Sequence, residues 1–287
     1  MRRAQIVLAG CALFGAGLVV GLYIQHRWPL GLGRQSWEYR PTPAPLAPPD
    51  IACLPAARRL VLVATGQSNA ANYGEPRSAA GAGVYAFSDG RLFQAIDPLP
   101  GADGVGGSIW TRLGARLMAT GHYDALVLAV VARGSTSARD WAPGGPRHAQ
   151  LITTLRELAA AGLPADFILW QQGETEGWSP EADGREYLAT LRSLIAACHA
   201  AAPGSVFLVA QATYGSHAPS NAQIRFAQAE AAALPGTAAG PDLDTLDSAF
   251  RRDGIHFNGR GLEAAAALWS AALQPQLDRP TPRSAKP

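Results

Sequence analysis

Arg59-Leu60-Val61-Leu62-Val63-Ala64-Thr65 runs without a break into Gly66-Gln67-Ser68-Asn69-Ala70. The first part is a short, continuous apolar run closed by glycine. It reads as a strand covered on both faces, because a strand with one wet face would alternate. The second part is polar and sets a serine where a strand turns into a helix. Three more runs share the character of the first: Ala125-Leu126-Val127-Leu128-Ala129-Val130-Val131, Phe167-Ile168-Leu169-Trp170 and Val206-Phe207-Leu208-Val209-Ala210. Between them, apolar residues at helical spacing predict helices over Ser108 to Thr120, Gln150 to Ala161, Glu181 to Ala201, Asn221 to Leu234 and Gly259 to Leu273. Strand and helix in alternation predict a three-layer α/β/α sandwich with a mainly parallel sheet.

In such sheets the working residues gather beyond the carboxyl ends of the strands. Four polar, glycine-containing clusters stand at strand ends or helix starts. They are Gly66-Gln67-Ser68-Asn69, Arg133-Gly134-Ser135-Thr136-Ser137 leading to Trp141, Trp170-Gln171-Gln172-Gly173-Glu174-Thr175-Glu176, and Asp253-Gly254-Ile255-His256. Together they supply a serine, a histidine, an acid and oxyanion donors, which is a hydrolytic set. Serine is a weak nucleophile until a base takes its proton, and histidine titrates near neutral pH. The Asp253-x-x-His256 spacing keeps both side chains on one turn, so the carboxylate can orient the imidazole. No Gly-x-Ser-x-Gly elbow, Gly-x-Gly-x-x-Gly or Walker pattern is placed for use. His122, His148, His199, His217 and His256 lack metal-ligand spacing, so neither a metal nor another cofactor is expected.

In their order along the chain, the Gly-Gln-Ser-Asn, Gly-Ser-Thr-Ser, Trp-x-Gln-Gly-Glu and Asp-x-x-His blocks resemble those of the SGNH (GDSL-like) hydrolase superfamily. The closer resemblance is to its sialate O-acetylesterase branch, which includes enzymes like carbohydrate esterase family 6. It spans Leu60 to about Leu273, and the Gly104-Val105-Gly106-Gly107-Ser108 turn adds to it. The resemblance implies a flavodoxin-like sandwich that hydrolyses O-acetyl esters on sugars. Ser68 would be the nucleophile, His256 the base and Asp253 its orienter. The oxyanion hole would take the N–H of Ser68, a backbone N–H at Gly134 or Ser135, and the side-chain amide of Gln172. Two departures stand out. Ser135 replaces a glycine of the branch, where a positive φ would be strained by a β-carbon. Glu176 stands where the branch often has Asp or Asn.

Each residue also has a plainer reading. Ser68 could cap a helix, and Asp253 could cap the last one. Glu174 is either a second acid toward His256 or a loop anchor. Asn69 braces its turn or touches substrate. Gln172 could be a buried amide tying strand ends together. Trp141 and Trp170 suit packing, while Trp141 or Trp178 could stack on a sugar. Two other functions compete with the esterase: a catalytically inactive, membrane-tethered carbohydrate-binding protein, and a lipase or thioesterase acting on longer acyl chains.

Ahead of the domain, Met1-Arg2-Arg3 precedes an apolar run over 4–24. At about 1.5 Å per residue the run is roughly 31 Å long, close to the ~30 Å of a bilayer's hydrocarbon. It predicts an N-terminal transmembrane helix, a signal anchor, with a cleaved signal peptide and a lipoprotein box at Leu8-Ala9-Gly10-Cys11 as alternatives. Arg2 and Arg3 would stay cytoplasmic, which sets the catalytic domain outside, periplasmic or extracellular. A proline-rich spacer over 25–50, a domain over 51–277 and a frayed tail over 278–287 complete the expected organisation.

Charged residues make up 16% and hydrophobic ones 48%, too apolar for a disordered chain. A net charge of +2 argues against nucleic acid as a partner and fits an O-acetylated glycan whose reacting oxygens are neutral. Cys11, Cys53 and Cys198 are too few for a disulfide scaffold, although Cys53 and Cys198 could pair in an oxidising compartment.

Overall fold

The computed structural model describes residues 54–278 apart from 56, 57, 180 and 216–219. The N-terminal segment over 1–24, the spacer over 25–50 and all but the first residue of the tail over 278–287 fall outside these residues. Among the described residues no helix is long and apolar enough to cross a membrane.

All four sequence-predicted strands form, as β1 (Arg59–Gly66), β4 (Ala125–Ala132), β5 (Phe167–Gln171) and β6 (Val206–Gln211). Three more join them: β2 (Val84–Ser88), β3 (Arg91–Gln94) and β7 (Thr237–Asp242). The sheet order is β3-β2-β4-β1-β5-β6-β7, and only the β2–β3 pair is antiparallel. β1 lies near the middle, where neighbours and helices cover it entirely; hence its unbroken apolar run. Leu60, Leu62 and Ala64 face one core, while Val61 and Val63 face the other.

The five predicted helices also form, with the short helices Ala138–Trp141 and Glu174–Gly177 added. In chain order they are α1 (Ile109–Ala119), α2 (Ala138–Trp141), α3 (His148–Ala160), α4 (Glu174–Gly177), α5 (Gly184–Ala201), α6 (Ala222–Ala231) and α7 (Gly259–Leu277). α1 and α7 contribute to the first core, and α2, α3, α5 and α6 to the second. Two indoles close on each other in the first core, Trp110 and Trp269, with centroids 5.7 Å apart. Trp141 and Trp170 are fully buried in the second, so neither is a sugar platform. Cys198 lies there as a free thiol, its pKa pushed up to about 12 by burial, and Cys53 is outside the described residues.

Register sets where the site can form. Gly66 pairs with Ala132 of β4 on one side and Gln171 of β5 on the other. The three strands therefore end level, and the polar clusters after them emerge side by side. Gly66 is required for this closeness. It adopts φ +137°, and a β-carbon on it would stand 2.0 Å from the Gln171 carbonyl oxygen.

Candidate active site

Beyond Gly66 the chain turns sharply into a single 3-10 turn, Ser68–Ala70. Ser68 is 6% exposed, and among the described residues neither its N–H nor its hydroxyl has a protein partner. The serine thus caps no helix. Its neighbours hold the turn instead. Gln67 Oε1 accepts from the Thr175 N–H at 3.1 Å, and Asn69 Nδ2 donates to Glu174 Oε1 at 2.8 Å and to the Ile255 carbonyl at 3.2 Å. Asn69 is therefore a brace, joining the serine turn to α4 and to the histidine loop.

That loop closes on itself. Arg251 and Phe257 form a β-bridge, and the Arg252 N–H donates to the His256 carbonyl at 2.8 Å. Within it Asp253 Oδ1 accepts from the N–H groups of Ile255 and His256, and Oδ2 lies 2.7 Å from His256 Nδ1. Burial would raise the Asp253 pKa, but the hydrogen bond and charge of His256 outweigh it and hold the carboxyl well below the usual range. Asp253 does not cap the last helix; Asn258 does, accepting from the Gly261 N–H at 3.0 Å. The loop meets the serine turn and the segment just after it through Asn69 with Ile255, the Glu75 N–H with the Phe257 carbonyl at 3.3 Å, Arg252 with the Glu75 carboxylate at 3.0 Å, and the Tyr73 ring stacked on His256 at 5.1 Å. Among the described residues no hydrogen bond joins the Ser68 hydroxyl to His256. In free enzymes such contacts are commonly long and tighten once substrate binds.

The oxyanion candidates separate. Gly134 donates its N–H to both carboxylate oxygens of Asp103, at 3.0 and 3.2 Å, so that group is occupied. The Ser135 N–H has no partner among the described residues, and Ser135 is exposed with φ +59°. The strain expected of a non-glycine here is present. Gln172 departs from its expected role. Its amide is fully buried and donates to Gln67 Oε1 and the Thr136 carbonyl, each at 3.1 Å, and to the Glu176 carboxylate. Its carbonyl oxygen accepts from the Tyr187 hydroxyl. An amide with both hydrogens engaged has none left for a substrate oxygen, so Gln172 ties strand ends together instead. Glu176 extends this tie by accepting from the Ala138 N–H at the start of α2.

Among the described residues no hydrogen bond or ion pair joins Glu174 to Asp253 or His256. Glu174 bonds Asn69, its Oε2 is buried without a partner, and burial pushes its pKa up to about 7. Among the described residues no group of three or more His, Cys, Asp or Glu side chains could hold a metal ion. Sequence reasoning passed over Tyr73 and Asp103. The second directly precedes the glycine-rich Gly104-Val105-Gly106-Gly107 turn, a signal that could have drawn attention to it.

A mainly parallel α/β sandwich with serine, histidine and aspartate at the carboxyl edge, and no nucleophile elbow, is an SGNH-type hydrolase. The family model described as "carbohydrate esterase, sialic acid-specific acetylesterase" matches residues 58–273. The chain belongs to that family and is a carboxylic ester hydrolase acting on carbohydrate acetates. No curated protein sequence matches it.

Solved structures share the fold at low identity. A protein from Arabidopsis thaliana is 16% identical with a TM-score of 0.61, covering 76% of this chain and 98% of its own. The structure named NanS is 14% identical with a TM-score of 0.56, covering 77% and 98%. A carbohydrate acetylesterase from Xanthomonas citri is 18% identical with a TM-score of 0.52, covering 75% of this chain and 55% of its own.

Proposed function

We propose that this protein removes O-acetyl groups from sugars, as sialate O-acetylesterases and acetylxylan esterases do, by acyl transfer through Ser68, His256 and Asp253. The observation that carries the reading is the 2.7 Å contact between Asp253 Oδ2 and His256 Nδ1, packed against a serine turn whose hydroxyl and N–H are uncommitted. Asp253 is ionised across the working range, so it holds the proton on Nδ1 and leaves Nε2 as the base. Ser68 Oγ attacks the acetyl carbonyl while Nε2 takes its proton. The N–H groups of Ser68 and Ser135 receive the oxyanion, each such donor worth about 3 to 4 kcal/mol. His256 then protonates the departing sugar oxygen. A water activated by the same nitrogen attacks the acetyl-serine, releasing acetate and restoring Ser68.

The Xanthomonas citri protein's name as a carbohydrate acetylesterase and the family's sialic acid specificity support an acetylated-sugar substrate. Ser68→Ala is expected to fold as the parent does, to lose hydrolysis of an aryl acetate, and to lose labelling by a serine-reactive fluorophosphonate. An alanine variant as active as the parent would sink the assignment. A parent that prefers p-nitrophenyl octanoate to the acetate would replace the deacetylase reading with a lipase.

We also place the domain outside the cytoplasm, tethered through 1–24, on the strength of Arg2 and Arg3 preceding the apolar run. Release of the protein into the soluble fraction by carbonate washing would overturn the tether.

A further inference from the structure

Asp103 lies in the loop between β3 and α1 and uses its polar groups to join two segments of the site. Its N–H donates to the Ala132 carbonyl at the end of β4 at 3.2 Å, and its carbonyl accepts from the Asn72 N–H at 3.0 Å. Its side chain repeats the connection. Oδ1 and Oδ2 take the Gly134 N–H, and Oδ2 also takes the Tyr73 hydroxyl at 3.1 Å. Tyr73 is the ring stacked on His256, with an interplanar angle of 21°. The segments interlock sterically as well, since a β-carbon on Gly134 would stand 2.7 Å from the Tyr73 hydroxyl oxygen. The Arg133 guanidinium faces the same carboxylate at 3.8 Å.

We propose that Asp103 is a positioning residue that holds the loop bearing the Ser135 oxyanion donor in register with the Tyr73 ring against which His256 rests. The proposal rests on the roles given above to Ser135 and His256. One carboxylate fixes two things that acyl transfer needs together. Occupying the Gly134 N–H fixes the peptide ahead of Ser135 and leaves the Ser135 N–H free. Holding the Tyr73 hydroxyl keeps the ring flat against the imidazole. Misplacement of a catalytic group by about 1 Å costs on the order of a hundredfold in rate. Loss of the carboxylate should therefore lower turnover and not ground-state binding of a small ester.

The test compares D103A, D103N and Y73F in the full-length protein with an aryl acetate, reading kcat and KM separately. D103A should lose about a hundredfold in kcat with KM within threefold, on the order of the misplacement cost. Asparagine can accept from Gly134 through its oxygen and donate to the Tyr73 hydroxyl through its nitrogen. D103N should recover most of the kcat, and Y73F, which keeps the ring but loses the hydroxyl that Asp103 holds, should fall between D103A and the parent. A spectroscopic signature accompanies this. The ring-current shift of Tyr73 on the His256 Cε1 proton should change in D103A and return in D103N.

A folded D103A with parental kcat overturns the proposal. So does a slow D103A whose His256 resonance is unmoved and which D103N does not rescue. If D103A does not fold, the soluble D103N and a Y73A variant decide: Y73A must lose kcat and shift the His256 resonance, and parental values there overturn the proposal. Should the parent itself fail to hydrolyse the ester, or Ser68→Ala keep full activity, the acyl-transfer reading fails instead, and the two failures remain distinct.

Discussion

Asp253 and Glu174 are two carboxylates that their surroundings push in opposite directions. Asp253 accepts two backbone N–H groups and the His256 Nδ1 proton, and its pKa is depressed. Asp253→Asn removes the anion that stabilises the imidazolium and leaves Nδ1 facing an amide that can donate. A kcat loss of about ten-thousandfold on an aryl acetate is expected, with the fold intact by circular dichroism. A loss below tenfold would remove Asp253 from the mechanism. Glu174 is buried beside Asn69 with one oxygen unpartnered, and its pKa is raised to about 7. The folded state therefore holds this proton more tightly than the unfolded chain. The resulting stability is complete below the unfolded carboxyl pKa near about 4.3 and is lost as pH rises through about 7. Glu174→Gln cannot ionise. The difference in Tm between parent and variant should shift toward the variant as pH goes from 5 to about 8, which thermal melts across that window would read. A difference that stays constant would place the ionisation elsewhere.

At the scale of elements, the site depends on strands that end level and on one helix that starts cleanly. Gly66 lets β1 approach β5 closely enough for the serine turn to lie beside Gln172 and Glu174. α7 begins directly after the histidine loop, and Asn258 both caps it at Gly261 and ties back to Ala249 and Arg251 through its side-chain amide. Asn258→Ala removes the cap and both loop contacts. A stability loss of about 1 to 2 kcal/mol is expected. Because α7 carries the Trp269 side of the core, urea denaturation should register that loss globally; an unchanged midpoint would mean the cap is redundant. Gln172, Glu176 and Tyr187 form a buried chain linking β5, α2 and α5. That chain explains why the Trp-x-Gln-Gly-Glu block reads as chemistry in sequence and behaves as scaffold in space.

Across the whole molecule, the exposed large hydrophobic side chains among the described residues are Trp178 and Phe226, at 40% and 66%. Trp178 follows α4 directly, and its indole lies over Gly215, where a β-carbon would come within 2.1 Å of Nε1. Among the described tryptophans it is the one with an exposed ring, since Trp110, Trp141, Trp170 and Trp269 are buried. Trp178→Ala should raise KM for an acetylated oligosaccharide by about threefold to tenfold, as the loss of roughly 1 kcal/mol of stacking would. KM for an aryl acetate should not move. Equal effects on both substrates would assign Trp178 to folding instead.

The amino-acid sequence alone determined the layers, because a parallel sheet covered on both faces requires continuous apolar runs and its helices require 3.6-residue spacing. It also determined the Asp253–His256 pair, since three residues of separation suffice to bring those side chains together. Short elements escaped it. β2 and β3 are brief and β7 is broken by Gly240 and Pro241, so none shows a clear period. Only the tertiary structure decided which donors are free. Gly134 and Ser135 are adjacent and equally able to donate in sequence, yet Asp103, some thirty residues away, occupies one and leaves the other. Likewise Gln172 carries the residue type of an oxyanion donor, and Gln67, Thr136 and Glu176 have already taken its hydrogens. A hydrogen bond is spent where the folded chain brings its partners, and separation in sequence does not record that.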